Sequence, residues 1–457
     1  MHIDLTPHRL NKFLGLAVAT GVVLALAPLA AAQSSDLSQY QGPGILSPGV
    51  GDIGMRSGQQ VDLRYYVGAS GIYDSNPQPV AVDANGNLPK APSLYGAELD
   101  FGAYGSHNFR RAQLSLDYRG NYLHYTVPGY DTSDHALNLG YTYQASRRLV
   151  FDLREAVGTI KYGYGTVWAG ATSDQTAALN SSSLFFDTRT YYAQSTAAMT
   201  FLQSAKTSYT MSGTGFIQDY TTGTGLSNAW GYTFSGSVNR RLTKSVTIGA
   251  LYQHSHFESP GFGVQSTSNA YYGTFASALG QFWTLNLQGG VTDVQVESPF
   301  TITLSPLMAA ILGQNTLTGA AFSHIIYPSG SADLRRQFQH ASLTFHYDRQ
   351  ISAGNGLFST SRVEDAMAIV SYTGLRKISL SISGGYNSMV ALDQTGYRFS
   401  QGNGGAGMTY DLGHNVHLSA RYDFRDQQII GANYALRGSR VTVGLLFSPG
   451  NVPLSLW

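Results

Sequence analysis

Two short runs carry side chains capable of reaction or ligation. His340, Ser342, His346 and Asp348 stand close together, and a hydroxyl, an imidazole and a carboxylate are the parts of nucleophilic acyl transfer. Alternation puts Ser342, His346 and Asp348 on one face of an extended segment. No oxyanion-hole motif accompanies them, and a lumen lining accounts for the same residues. His254, His256 and Glu258 also share a face and are metal-ligand types, but nothing distant in the sequence is marked out to complete a coordination sphere. A strand tip near an external rim explains them as well, so no metal is expected.

Gly402-Asn403-Gly404-Gly405-Ala406-Gly407 satisfies G-x-G-x-x-G by letter. A dinucleotide fingerprint needs a strand before it and a helix after it. Met408-Thr409-Tyr410 continues an extended pattern instead, so the glycines read as places of tight sheet curvature, and no cofactor is expected. Doubled basic residues recur at Arg110/Arg111, Arg147/Arg148, Arg240/Arg241, Arg335/Arg336 and Arg376/Lys377. They read as solvated turn charges at lipid phosphates, or as a ring drawing an anionic polymer to a pore mouth.

The elements that position these residues follow from composition and period. The 457-residue chain has 28 Lys+Arg against 27 Asp+Glu, and charged residues are only 12%, about half the usual share. Mean hydropathy is nonetheless only -0.11. Charge depletion without membrane-helix hydrophobicity is what strands with one apolar face produce. Near-neutral charge argues against a nucleic-acid partner. With Cys 0, a disulfide scaffold, a thiolate site, a cysteine nucleophile and a lipoprotein anchor are excluded.

Residues 1–32 read as a secretory signal peptide: Arg9 and Lys12, then the apolar Leu14 to Ala27, then Pro28 and the small-residue site Ala30-Ala31-Ala32. Gln33 is the expected first mature residue. A loose Gly/Pro/Ser segment, 33–58, reads as periplasmic. From 59 to 448 the chain alternates with period two, and 449–457 is a tail. Val61, Leu63, Tyr65, Val67 and Ala69 oppose Asp62, Arg64, Tyr66, Gly68 and Ser70, the mark of a strand between an apolar and a polar environment.

Short turns are expected around His107–Arg110, Ala145–Arg148, Gln203–Lys206, Arg240–Lys244, Leu279–Phe282, Thr373–Lys377 and Leu412–Asn415. Longer loops are expected near 74–93, 126–134, 160–185, 220–228, 258–268, 297–315, 351–360, 387–397 and 427–436. That asymmetry is the plan of an outer-membrane barrel with periplasmic short turns. Strands near 316–327 and 338–350, joined by a turn carrying Pro328, Gly330, Arg335 and Arg336, bring the count to about 18, or to 16 without the first. Tyr141, Tyr143, Trp230, Tyr232 and Trp283 stand at strand ends, as two interfacial girdles require. Ser305-Pro306 through Gly313 carries helix punctuation within the loop 297–315, to cover the rim or fold inward. A soluble sandwich or propeller is the competing fold; no blade repeat is visible.

The first strand leaves through Gly71-Ile72-Tyr73-Asp74-Ser75-Asn76-Pro77, and Leu343 to Arg349 leads to Ser352-Ala353-Gly354-Asn355-Gly356. With the leader, length and Tyr-rich strands, this resembles the β-barrel porin 2 family, whose members leave their first strand through a Tyr-Asp-(Ser/Thr)-Asn turn. The resemblance implies an outer-membrane pore, associated in some relatives with exopolysaccharide export. Such barrels end on an aromatic read by the assembly machinery; here Phe447 and Trp457 compete for that place.

The expected fold is therefore an all-β, transmembrane, antiparallel up-and-down barrel in the outer membrane. Its expected pore lining is Asp62, Arg64, Glu98, Asp100, Gln113, Asp117, Arg119, Asp152, Arg154, His417, Arg421, Asp423 and Arg425. Mixed signs suit a polysaccharide or small polar solute. The first functional expectation is a passive conduit, the second a closed structural or receptor barrel, the third a lipid hydrolase. The expected surroundings are outer-membrane lipid and the barrel-assembly machinery.

Overall fold

A computed structural model of the chain describes residues 61–76, 80–81, 93–160, 189–221, 226–280, 282–303, 315–353, 356, 358–392, 397–430 and 434–448. The leader 1–32, the segment 33–58, the tail 449–457 with Trp457, and the helical punctuation at 305–313 lie outside the described residues. Among the described residues no helix is long and apolar enough to cross a membrane, which says nothing of crossing by strands.

Period-two sequence becomes strand throughout. In chain order the strands are β1 (Val61–Asp74), β2 (Val80–Ala81), β3 (Leu94–Asn108), β4 (Ala112–Tyr125), β5 (Thr132–Ser146) and β6 (Leu149–Ile160). Then come β7 (Thr190–Leu202), β8 (Thr207–Tyr220), β9 (Ala229–Arg241), β10 (Val246–Ser259), β11 (Val264–Leu279) and β12 (Trp283–Thr303). The last are β13 (Thr316–Gln337), β14 (Ala341–Ser352), β15 (Ser361–Tyr372), β16 (Ile378–Ala391), β17 (Arg398–Gly413), β18 (Val416–Ile430) and β19 (Tyr434–Phe447). β1 pairs antiparallel with both β3 and β19, so the described sheet closes into an 18-strand antiparallel barrel. β2 is a two-residue addition opposite Tyr434 and Ala435 of β19. The even count leaves both barrel termini at the short-turn end.

Alternation sorts the side chains by face. Tyr65 and Val67 are 53% and 54% exposed, whereas Tyr66 between them is 5% exposed. On β19 Val441, Val443, Leu445 and Phe447 face out; on β12 Trp283, Leu285, Leu287 and Val291 do so before Asp293, Gln295 and Glu297 take over the same face. That apolar stretch is about nine residues, the length a tilted strand needs to cross a bilayer. Rings mark its edges: Tyr141 and Tyr143 stack at 6.5 Å near the short-turn end, and Tyr232 lies 5.4 Å from both Phe234 and His256 near the other. The Arg336 guanidinium covers Trp283 at 4.6 Å and Phe338 at 4.2 Å, a cation at the short-turn end packed on rings. An apolar band between aromatic girdles is the surface of an outer-membrane barrel.

The seven expected short turns are present, and an eighth occupies 338–340. Four expectations are corrected. Pro328, Gly330, Arg335 and Arg336 are not a turn but the interior of β13, a single strand pairing with β12 along its whole length. β13 pairs with β14 only from Gly330 to Gln337, so Pro328 lies just beyond that ladder, on an edge where a missing N–H costs nothing. The expected loop 297–315 is strand as far as Thr303, and the loops expected at 258–268 and 427–436 shrink to 260–263 and 431–433 because the strands run on past the bilayer.

Candidate functional site

The inward face of the barrel is polar, and several of its charges are cancelled in place. Arg119 binds Asp117 through two hydrogen bonds of 3.0 Å, from Nε and Nη2. Arg421 does the same to Asp423, at 2.6 and 2.7 Å. Arg154 Nε meets Asp152 at 2.7 Å, and Thr142 donates to the same carboxylate at 2.8 Å. In all three pairs the partners stand two residues apart on one strand, which is the spacing that keeps both on the same face. Bidentate pairing fixes the Arg119 and Arg421 guanidinium groups as well as neutralising them.

The expected lining residues Glu98, Asp100, Gln113, Asp117, Arg119, Asp152, Arg154, His417, Arg421, Asp423 and Arg425 all have inward parity. Asp62 and Arg64 lie in β1, with side chains outside the described residues. Arg440 was missed. It donates to Glu98 at 3.0 Å, and its register partners are Asp423 on one side and Asp74 on the other. Its parity was readable, because Val441, Val443, Leu445 and Phe447 define the opposite face.

The groups with reactive types do not assemble. His346 Nδ1 lies 2.6 Å from Asp333 Oδ1 on the neighbouring strand. Ser342 is four residues further down β14, opposite Gln337, about 13 Å away at strand rise. His254 is held by Asn269 Oδ1 at 3.0 Å and His256 by Thr267 Oγ1 at 3.2 Å, both on the outward face. Among the described residues no group of three or more His, Cys, Asp or Glu could hold a metal ion. Gly402 to Gly407 form extended β17, with Gly405 and Gly407 facing in. The doubled basic residues flank the short turns, except Arg335/Arg336 within β13.

Two apolar clusters pack inside the external half of the barrel. Phe358 joins Val363, Met389, Ala391, Phe399, Ile429 and Leu436 in one buried cluster on the β15–β19 wall. Ala353 joins Phe216, Ala229 and Phe257 on the facing wall. Both Ala353 and Phe358 belong to the connection from β14 to β15, whose described residues therefore touch both walls as a strap. Gly356 carries its middle: its carbonyl accepts from Ser227 N at 2.9 Å. With φ +74 and the Tyr220 ring 2.4 Å from where a Cβ would stand, only glycine fits there. Ser359 O accepts from Ser259 at 3.3 Å and Thr360 donates to Ser266 at 2.8 Å, fastening the far end to β10 and β11.

The strap reaches inward because the tips of β14 and β15 lean behind the β12–β13 ribbon. Arg349, Ile351, Arg362 and Glu364 have outward parity, yet they meet residues of inward parity. Ile351 packs with Val264, Val294, Val296 and Tyr327. The Tyr327 ring lies under the guanidinium of Arg349 at 4.5 Å and that of Arg362 at 5.2 Å, and its hydroxyl donates to Glu364 at 3.4 Å. Arg349 Nε also donates to that hydroxyl. Gly330 marks where the overlap starts: a Cβ there would stand 2.4 Å from Gln288 O.

No family model matches the sequence, and no curated protein does. Solved structures share the barrel. The chain is similar to OccAB3 of Acinetobacter baumannii at 9% identity and TM-score 0.37, over 85% of this chain and 99% of that one. OpdK of Pseudomonas aeruginosa, solved with vanillate, is 10% identical with TM-score 0.40 over 85% and 99% of the two chains. The ferric citrate transporter FecA is 10% identical with TM-score 0.39, over 80% of this chain and 60% of that one. These likenesses are in barrel architecture.

Proposed function

We propose that this protein is an outer-membrane channel passing polar, weakly charged solutes, with a polysaccharide on its way out of the cell as the specific cargo. The observation that carries the reading is the inward wall of ion pairs, Asp117–Arg119, Asp152–Arg154, Arg421–Asp423 and Glu98–Arg440. A barrel of 16–18 strands is wide enough for water. A wall whose charges are neutralised locally presents hydrogen-bonding groups without a field of one sign, which suits glycans better than ions. The pore-lining set is the one read from alternation, with Arg440 added. Export through the leader cleaved near Ala32, a 59–448 barrel and assembly through Phe447 belong to the same reading, as does the family resemblance.

Reconstitution in planar bilayers tests it. A stable stepwise current supports a channel; silence from folded barrels removes it. The strap favours a second reading, a receptor barrel closed at its external end. In that case the native barrel is silent and carries current only when the strap is released by substitution at Phe358.

A further inference from the structure

We infer that the inward row Asp365, Asn387, Gln401 and Gln427 is a subsite for a neutral, hydroxyl-rich saccharide, an inference that rests on the channel reading above. The four residues stand directly opposite one another on β15, β16, β17 and β18. All have inward parity, and adjacent strands space them about 4.8 Å apart. Asn387, Gln401 and Gln427 are 6%, 6% and 0% exposed. Asn387 Nδ2 donates to Asp365 Oδ1 at 3.3 Å. Asn387 Oδ1, Gln401 Oε1 and both amide atoms of Gln427 have no hydrogen-bond partner among the described residues. Native interiors rarely leave such groups unpaired, because each forfeits its hydration. Amides serving only to brace the wall would bond to one another.

The chemistry of the row selects its ligand. Each carboxamide offers two donors and an acceptor, and a hydroxyl is both donor and acceptor. A line of hydroxyls along a sugar edge therefore matches a line of amides strand by strand. Asp365 adds an acceptor that takes a hydroxyl proton. An anion is disfavoured by Asp365 and by Asp348, directly opposite on β14, and a cation by Arg425, one inward step below Gln427. One inward step towards the external side lies the row Val363, Met389, Phe399 and Ile429, buried together under Phe358. It offers an apolar surface to the C–H face of a sugar ring whose hydroxyls point at the amides. The row beneath contains Gly385 and Gly438, which add no side chain. The strap covers this layer, so the saccharide reaches it from the periplasmic side or when Phe358 withdraws.

The test uses the full mature chain, with maltohexaose as the probe. In planar bilayers the readout is the fraction of ion current the sugar blocks; in detergent micelles, calorimetric binding is read independently of any current. Gln401→Met and Gln427→Met keep side-chain length and remove hydrogen bonding, and Asn387→Leu is a third variant should either fail to fold. The expected result is saccharide binding that weakens at least tenfold in each folded variant, while Gln295→Met on the outward face leaves it as it was. Unaltered binding in the folded variants overturns the inference, as does no calorimetric binding to the native chain. A barrel that binds the sugar through these residues yet carries no current keeps the subsite and removes the channel.

Discussion

Arg440 on β19 reaches past β1 to donate a 3.0 Å hydrogen bond to Glu98 on β3, with both side chains buried. The bond spans the seam where the first and last strands meet, so a charge pair holds the closure as well as the backbone ladder. Losing one partner strands the other without compensation, at about 3–5 kcal/mol for a buried pair. Arg440→Leu and Glu98→Leu should each lower the urea midpoint of the folded barrel, and the double variant should lose less than the two combined. Additive losses would show that the pair is not coupled.

Phe358 anchors the strap on one wall of the lumen, and Phe358→Ala removes a buried ring, a change that costs about 3–5 kcal/mol in a core. Here the cost falls on the strap rather than on the ladders. The expected outcome is a larger, noisier single-channel current with an unchanged unfolding midpoint. Gly356→Val, which cannot adopt the backbone of Gly356 beside Tyr220, should act in the same direction. If both variants leave current untouched, the strap does not obstruct the path.

The outward face of β12 provides an internal ruler. Leu287 lies inside the apolar band and Gln295 above it. Leu287→Arg should destabilise the barrel in lipid vesicles by about 2–4 kcal/mol, and Gln295→Arg by about 0–1 kcal/mol. Equal costs in a folding titration would contradict the placement of the band's upper edge between Val291 and Asp293.

Tyr327 holds the overlap between β13 and β14 by its ring and by its hydroxyl, and the two can be separated. Tyr327→Phe keeps the ring beneath Arg349 and Arg362 and loses the bonds to Arg349 and Glu364; Tyr327→Ala loses both. Hydrogen exchange at the amides of Arg349 to Ser352 should quicken modestly in the first and strongly in the second. No difference between them would mean that the ring contributes nothing to the seam.

The barrel was legible because lipid and water impose their period on every strand. Tyr65, Val67, Leu285, Leu287 and Val441 declare their face without knowing their neighbours. What escaped depends on partners distant in sequence. Pro328 and Gly330 have turn chemistry locally, and only the point at which β14 leaves the ladder makes them acceptable inside a strand. Phe358 and Ala353 look like ordinary loop residues until β16 to β18 and β8 to β10 supply their pockets. The segment 305–313, expected either to cover the rim or to fold inward, lies outside the described residues, whereas Ala353, Gly356 and Phe358 belong to a connection that packs inside the barrel. Arg440 was readable and overlooked. The carboxamides Asn387, Gln401 and Gln427 become a row only through register, which alternation alone does not fix.

β12 and β13 continue well past Val291, as far as Thr303 and Thr316, with β11 alongside until Glu297 and as a two-stranded ribbon beyond it. At strand rise, twelve further residues add about 40 Å of length, enough to clear the headgroups even when tilted. Exposed Phe322, Ile326 and Ile302 ride on that projection. Beyond Glu297 a single ladder holds the projection, so its amides should exchange faster than those of the flanked rungs below.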